Sequence, residues 1–106
     1  MQSELVTVGI QAYQAHDYST AIALLEQADR NEWTGQLYLA MSYYLTGKSD
    51  QSQRVFFRLK SECPDQEIRA KAEAAFAALR SKLRKDAEEE RERAERENKE
   101  DQVEFR

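Results

Sequence analysis

Shifted by 31 residues along itself, this chain of 106 residues superposes Val8 on Leu39, Gly9 on Ala40, Tyr13 on Tyr44, Leu25 on Phe56 and Ala28 on Leu59. Large and small apolar positions stay in register across that offset. Such self-similarity marks a tandem supersecondary unit, one too small to bury its own apolar face and therefore stacked on a copy of itself. The spacing inside each copy is helical: Leu5, Val8, Ala12 and Tyr13, then Ala21, Leu24, Leu25 and Ala28, then Leu39, Ala40, Tyr43 and Tyr44, then Val55, Phe56 and Leu59 recur at three and four residues. A fifth stripe carries Ile68, Ala72, Ala75, Phe76, Leu79 and Leu83. No segment reads as a strand, and the fold class is all-α.

Turn residues separate these stripes at His16-Asp17, Asn31 to Thr34, Gly47-Lys48-Ser49 and Cys63-Pro64-Asp65. His16 is expected to serve as a turn residue, because His enters the left-handed backbone region more readily than most residues with a β-carbon. Pro64 suits the first position of the fifth helix, where its missing N–H would be unpaired anyway, and Asp65 and Glu67 favour the positive end of that helix.

The apolar pattern stops near Leu79. Residues 80–106 hold nine Lys or Arg and ten Asp or Glu, and from Arg84 to the last few positions the only apolar side chains are Ala87 and Ala94. This segment has no face to bury. The chain therefore divides into a helical domain, 1–83, and a charged tail, 84–106. Glu89 before Arg93, Glu92 before Arg96 and Glu95 before Lys99 stand in the favourable order for pairs four residues apart, and a packed helix ahead of them removes the nucleation cost, so the tail is expected to extend the fifth helix. Disorder of this mixed-sign tail is the alternative.

With three Gly and one Pro, 34% charged and 41% hydrophobic residues, the composition suits a helix-rich soluble protein. A single Cys makes no internal disulfide and a single His anchors no His-based metal site. Phosphate-binding glycine loops, nucleophile elbows and zinc spacings do not occur, so neither an enzyme nor a cofactor is expected. A net charge of −4 argues against ordinary electrostatic binding of nucleic acid. No apolar run is long enough for membrane insertion and no export signal opens the chain, which leads to an expected cytoplasmic location. Cys63 reads as a quiet loop cysteine and Trp33 as a packing residue at the turn between the two copies.

The first copy runs Leu5, Val8, Gly9, Ala12, then Asp17-Tyr18 at the turn, then Ala21-Ile22, Leu25 and Ala28; the second runs Leu39, Ala40, Tyr43, Gly47, Ser52, Phe56, Leu59 and Pro64. In these residues the chain resembles the tetratricopeptide repeat (TPR) family over about residues 3–64. It departs from that family in its period of 31, in His16 at a position where Gly is usual, and in Trp33 where Pro is usual. The resemblance implies two TPR-like helix-turn-helix repeats and a C-terminal capping helix over 68–83, with Gly9 facing Ala21 and Ala40 facing Ser52 where the paired helices cross. An unrelated four- or five-helix bundle would share the periodicity.

The resemblance further implies a protein-interaction module whose groove is lined by the first helix of each repeat. Carried over position by position, the partner-binding residues are Val6, Ile10 and Tyr13 from the first repeat and Leu37, Met41, Tyr44 and Leu45 from the second. This set is apolar, without the Lys, Arg and Asn by which some family members clamp a C-terminal carboxylate. It suits an apolar peptide or helix of a protein partner. Two further readings remain: the fifth helix covers the same side chains as core, or the chain is a structural oligomerisation element whose apolar faces meet a second copy in a homo-oligomer while the charged tail spaces or aligns the assembly.

Overall fold

Three helix starts among the described residues are fixed by a side chain that accepts from otherwise unpaired backbone N–H groups. The computed structural model describes the backbone of residues 2–104 and the side chains of residues 2–96. Five helices follow one another without a strand among the described residues: α1 Glu4–Gln14, α2 Tyr18–Gln27, α3 Trp33–Leu45, α4 Ser49–Glu62 and α5 Gln66–Glu104. Ser3 caps α1 by accepting from the Val6 N–H at 3.4 Å, and Asp17 caps α2 by accepting from the Thr20 N–H at 3.3 Å.

The turns α1–α2 and α3–α4 share one form. After α1, His16 takes φ 62°, its N–H donates to the Tyr13 carbonyl at 3.0 Å, and the Asp17 N–H donates to the Ala12 carbonyl at 2.9 Å. After α3, Gly47 takes φ 82°, its N–H donates to the Tyr44 carbonyl at 3.3 Å, and the Lys48 N–H donates to the Tyr43 carbonyl at 2.8 Å. Both are Schellman closures built on a left-handed residue, and His16 and Gly47 stand at the 31-residue offset read in the sequence.

One boundary differs from expectation. Pro64 precedes the fifth helix instead of opening it, because the Asp65 carboxylate is the cap, accepting from the N–H groups of Glu67 at 2.9 Å and Ile68 at 3.4 Å. An ionised oxygen that satisfies two orphan donors is a better start than a residue that merely lacks one. The helix also runs on without a break through the charged segment to Glu104.

Packing follows a fixed neighbour pattern. α1 lies against α2 and α3, α3 against all four others, and α5 against α3 and α4; among the described residues α1 does not reach α4 or α5. The first core cluster joins Val6, Ala21, Ile22, Leu25, Ala28, Leu39 and Tyr43, and the second joins Leu37, Ala40, Phe56, Leu59, Cys63 and Ala72. Cys63 is 1% exposed and so belongs to the core although it ends a helix.

Close approaches set the helix separations. A β-carbon on Gly9 would come within 2.7 Å of Leu25 Cγ, so the partner of Gly9 is the Leu25 side chain and not Ala21. Ala40 and Ser52 do meet, the buried Ser52 hydroxyl donating to the Ala40 carbonyl at 2.8 Å. Gly35, unassigned by pattern, lets α3 close on α1, where an added β-carbon would be 2.8 Å from Val6 Cγ2. Arg58 fixes the α2–α3 connection to α4, donating from Nη1 to the Arg30 carbonyl at 2.9 Å and to Gln36 Oε1 at 3.4 Å, with its guanidinium 4.6 Å from the centre of the Trp33 ring.

Candidate functional site

Tyr13, in the last turn of α1, has its ring half-buried and turned toward α3. Tyr38 of α3 meets it edge-on at 5.1 Å between ring centres, and Tyr18, at the start of α2, lies at 5.5 Å. The Tyr13 hydroxyl donates to Met41 Sδ at 3.7 Å. His16 extends the series from the turn, its ring 5.9 Å from that of Tyr18 and its Nδ1 3.0 Å from the Tyr18 hydroxyl. A string of rings thus crosses from the α1–α2 turn to α3. Burial pushes the Tyr13 phenol above its ordinary pKa, and the neighbouring phenols of Tyr18 and Tyr38 add to the effect.

The seven residues expected to line a groove fall into two groups. Ile10, Tyr13, Met41 and Leu45 are half-buried and keep part of their surface in solvent. Val6 at 0%, Leu37 at 7% and Tyr44 at 8% exposure are core residues and line no open surface. The physical reason is the number of neighbours. Val6 fills the space left by Gly35, Leu37 joins the second cluster, and Tyr44 is covered by Phe76 of α5 at 5.9 Å between ring centres. α5 thus acts on the second half of the stripe alone; it does not reach α1, so Tyr13 and Ile10 remain uncovered by it.

The pattern missed Tyr38, which belongs to the same surface. Its equivalent at the 31-residue offset is Thr7, so comparison of the two copies gives no signal there; its spacing of three residues from Met41, matching Ile10 and Tyr13, is the only clue. The surface presents apolar area with hydroxyl tips and one thioether. Such a surface offers polarisable ring edges and a thioether beside phenolic hydroxyls.

A second opening lies between α4 and α5. It is a groove of about 570 Å³ bounded by Phe56, Phe57 and Lys60 on one side and by Glu73, Phe76 and Arg80 on the other. Phe57 stands 72% exposed at its edge. Elsewhere, no three His, Cys, Asp or Glu side chains among the described residues gather into a group that could hold a metal ion, and no described helix is long and apolar enough to cross a membrane. Compared with protein-family models, with curated proteins and with solved structures, the chain matches none.

Proposed function

We propose that the chain is a non-catalytic interaction module of the tetratricopeptide-repeat type, which binds an apolar peptide or helix of a protein partner across α1 and α3. Three features support the repeat reading. The His16 and Gly47 turns have one geometry at the 31-residue offset, α1–α2 and α3–α4 cross at Gly9–Leu25 and Ala40–Ser52, and α5 packs on α3 as α3 packs on α1. The observation that carries the binding reading is the set of partly exposed side chains Ile10, Tyr13, Tyr38, Met41 and Leu45, on α1 and α3, with α5 packed on α3 and α4 and not on α1. Apolar side chains held partly in water by rigid helices are already ordered, so a partner that covers them gains burial at little entropic cost on this side.

A peptide library displayed on phage, selected on the full chain and depleted on a Tyr13→Glu/Met41→Glu variant, tests the reading. The expected result is peptides with two or more apolar anchors at helical or extended spacing that bind the parent at least about tenfold more tightly than the variant. Peptides that bind both equally, while both proteins melt alike, overturn the assignment of the surface.

A further inference from the structure

Charge is divided unevenly among the helices. α1, α2 and α3 carry no Lys or Arg at all, and residues 1–47 hold five acids, Glu4, Asp17, Glu26, Asp29 and Glu32, against Arg30 as the one base. From Lys48 onward bases and acids balance at fifteen of each, so the whole net charge of −4 belongs to the three helices that carry the Tyr13 surface. None of the five acids is in an ion pair among the described residues. Two of them bracket that surface. Glu32, whose Oε2 accepts from the Ser3 N–H at 3.1 Å, stands where α1 and α3 both begin, and Asp17 stands beside Tyr18 at the other end of α1, across 11 residues or about 16 Å of helix. The bases come with α4 and α5, which do not reach α1. Lys48 is held over the Tyr43 ring at 6.0 Å, Arg58 is engaged with Trp33, the Arg30 carbonyl and Glu62, and Lys71 pairs with Glu67 on its own helix.

We propose that the partner of the Tyr13 surface is basic: a peptide or helix with apolar anchors and with Lys or Arg between them. The inference rests on the reading of that surface as a binding site and names the chemistry of its occupant. The rings of Tyr13, Tyr18 and Tyr38 keep part of their surface in solvent, and the negative face of a phenol ring attracts a cation, Arg above all because its guanidinium is planar and weakly hydrated. Apolar anchors cover Ile10, Met41 and Leu45 between the two bracketing acids, so a Lys or Arg at either end of the bound segment comes to Glu32 or Asp17. Acids without a described counter-charge also act before contact, over a screening length of about 10 Å at 0.1 M salt, drawing in a basic segment and repelling an acidic one. A second copy of this chain is a poorer match. Its basic stretch, Arg80 to Lys85, runs directly into Asp86, Glu88, Glu89 and Glu90, which the same field repels.

Three fluorescein-labelled synthetic peptides with one amphipathic pattern of Leu and Phe, their remaining positions filled by Lys and Arg, by Gln or by Glu, test the proposal by fluorescence anisotropy with the full chain. The basic peptide is expected to bind at least about tenfold more tightly than the Gln peptide at about 50 mM salt, with the gap narrowing at about 300 mM, and the Glu peptide to bind most weakly. Asp17→Asn/Glu32→Gln removes two charges and keeps both hydrogen-bond acceptors, so it is expected to weaken the basic peptide at least about threefold and leave the Gln peptide unchanged. Tyr13→Ser/Met41→Ser, neutral and checked for folding by circular dichroism, is expected to weaken both. Equal binding of the basic and Gln peptides, lost together in Tyr13→Ser/Met41→Ser, overturns the basic partner and leaves the surface standing. A basic peptide indifferent to Asp17→Asn/Glu32→Gln also overturns the proposal. So does self-association of the parent in sedimentation velocity that this variant abolishes, which gives the surface to a second copy. A basic peptide that binds the folded Tyr13→Ser/Met41→Ser chain as it binds the parent, or binding by none of the three at about 500 µM, overturns the surface as well.

Discussion

Leu25 occupies the space that the missing side chain of Gly9 leaves on α1, its Cγ 2.7 Å from where a β-carbon would stand. Both residues are buried, and Leu25 has no exposed surface at all, so the branch has nowhere to retreat. Gly9→Ala gains about 1 kcal/mol of helix propensity and loses about 1–3 kcal/mol to overpacking. Denaturant unfolding is expected to give a net destabilisation near 1 kcal/mol for Gly9→Ala, and about 3 kcal/mol for Gly9→Leu. Adding Leu25→Ala to Gly9→Ala removes the obstruction, so the pair should cost less than the sum of the single changes.

Arg58 gathers a carbonyl, a side-chain amide and an aromatic face with one planar group. Lys carries the charge without the fork or the stacking plane. Arg58→Lys is therefore expected to lower stability by about 1 kcal/mol and Arg58→Ala by about 2 kcal/mol. Because the side chain is only 19% exposed, the loss should persist in thermal melts at high salt.

Tyr43 gives the fold an alkaline limit. Its phenol is held well above the ordinary value of 10.0, first by burial and then by donating its hydrogen to the Glu26 carboxylate. A raised pKa favours the protonated folded state, so the contribution is complete below about pH 10 and is lost as pH rises from there toward the folded value. Tyr13 shifts in the same direction. The melting temperature is expected to hold between pH 7 and 9 and to fall above about pH 10. Tyr43→Phe, which cannot ionise, should show a shallower alkaline fall.

The charged extension of α5 adds length and little stability. Side chains 84–96 are all exposed, and the one ion pair described there, Glu92 with Arg96, has a separation of 4.0 Å in solvent. The expected pair of Glu89 with Arg93 is not among the ion pairs described, and that of Glu95 with Lys99 lies outside the described side chains. Truncation after Leu83 is expected to change unfolding free energy by less than about 1 kcal/mol. Loss of the cooperative transition in the truncated chain would contradict this.

Helix number, order and turns were legible because each rests on local chemistry. Apolar residues at three and four, His16 and Gly47 in left-handed turns, and capping Asp17 all act within a few residues of themselves. Pro64 misled because the Asp65 carboxylate competes for the same helix start. Gly9 misled differently: a missing side chain makes room for a large neighbour as readily as for a small one, and only the three-dimensional crossing selects Leu25 over Ala21. Periodicity also marks a stripe as apolar without saying which flank a later helix covers. That is why Val6, Leu37 and Tyr44 proved to be core while Tyr13 and Met41 stayed at the surface. Gly35 meets Val6, and Arg58 meets Arg30, Trp33 and Gln36, all more than 20 residues distant, while Phe57 stands out through its exposure; no local pattern carries these.

The most direct test of the proposed binding surface is an amide and methyl NMR titration of the full chain with a peptide selected on it. Shifts are expected to centre on Ile10, Tyr13, Tyr38, Met41 and Leu45, to leave α4 unchanged, and to vanish in the Tyr13→Glu/Met41→Glu variant with its melting temperature intact. Shifts centred on Phe57 and Arg80 instead, or loss of fold in that variant, would contradict a partner site across α1 and α3.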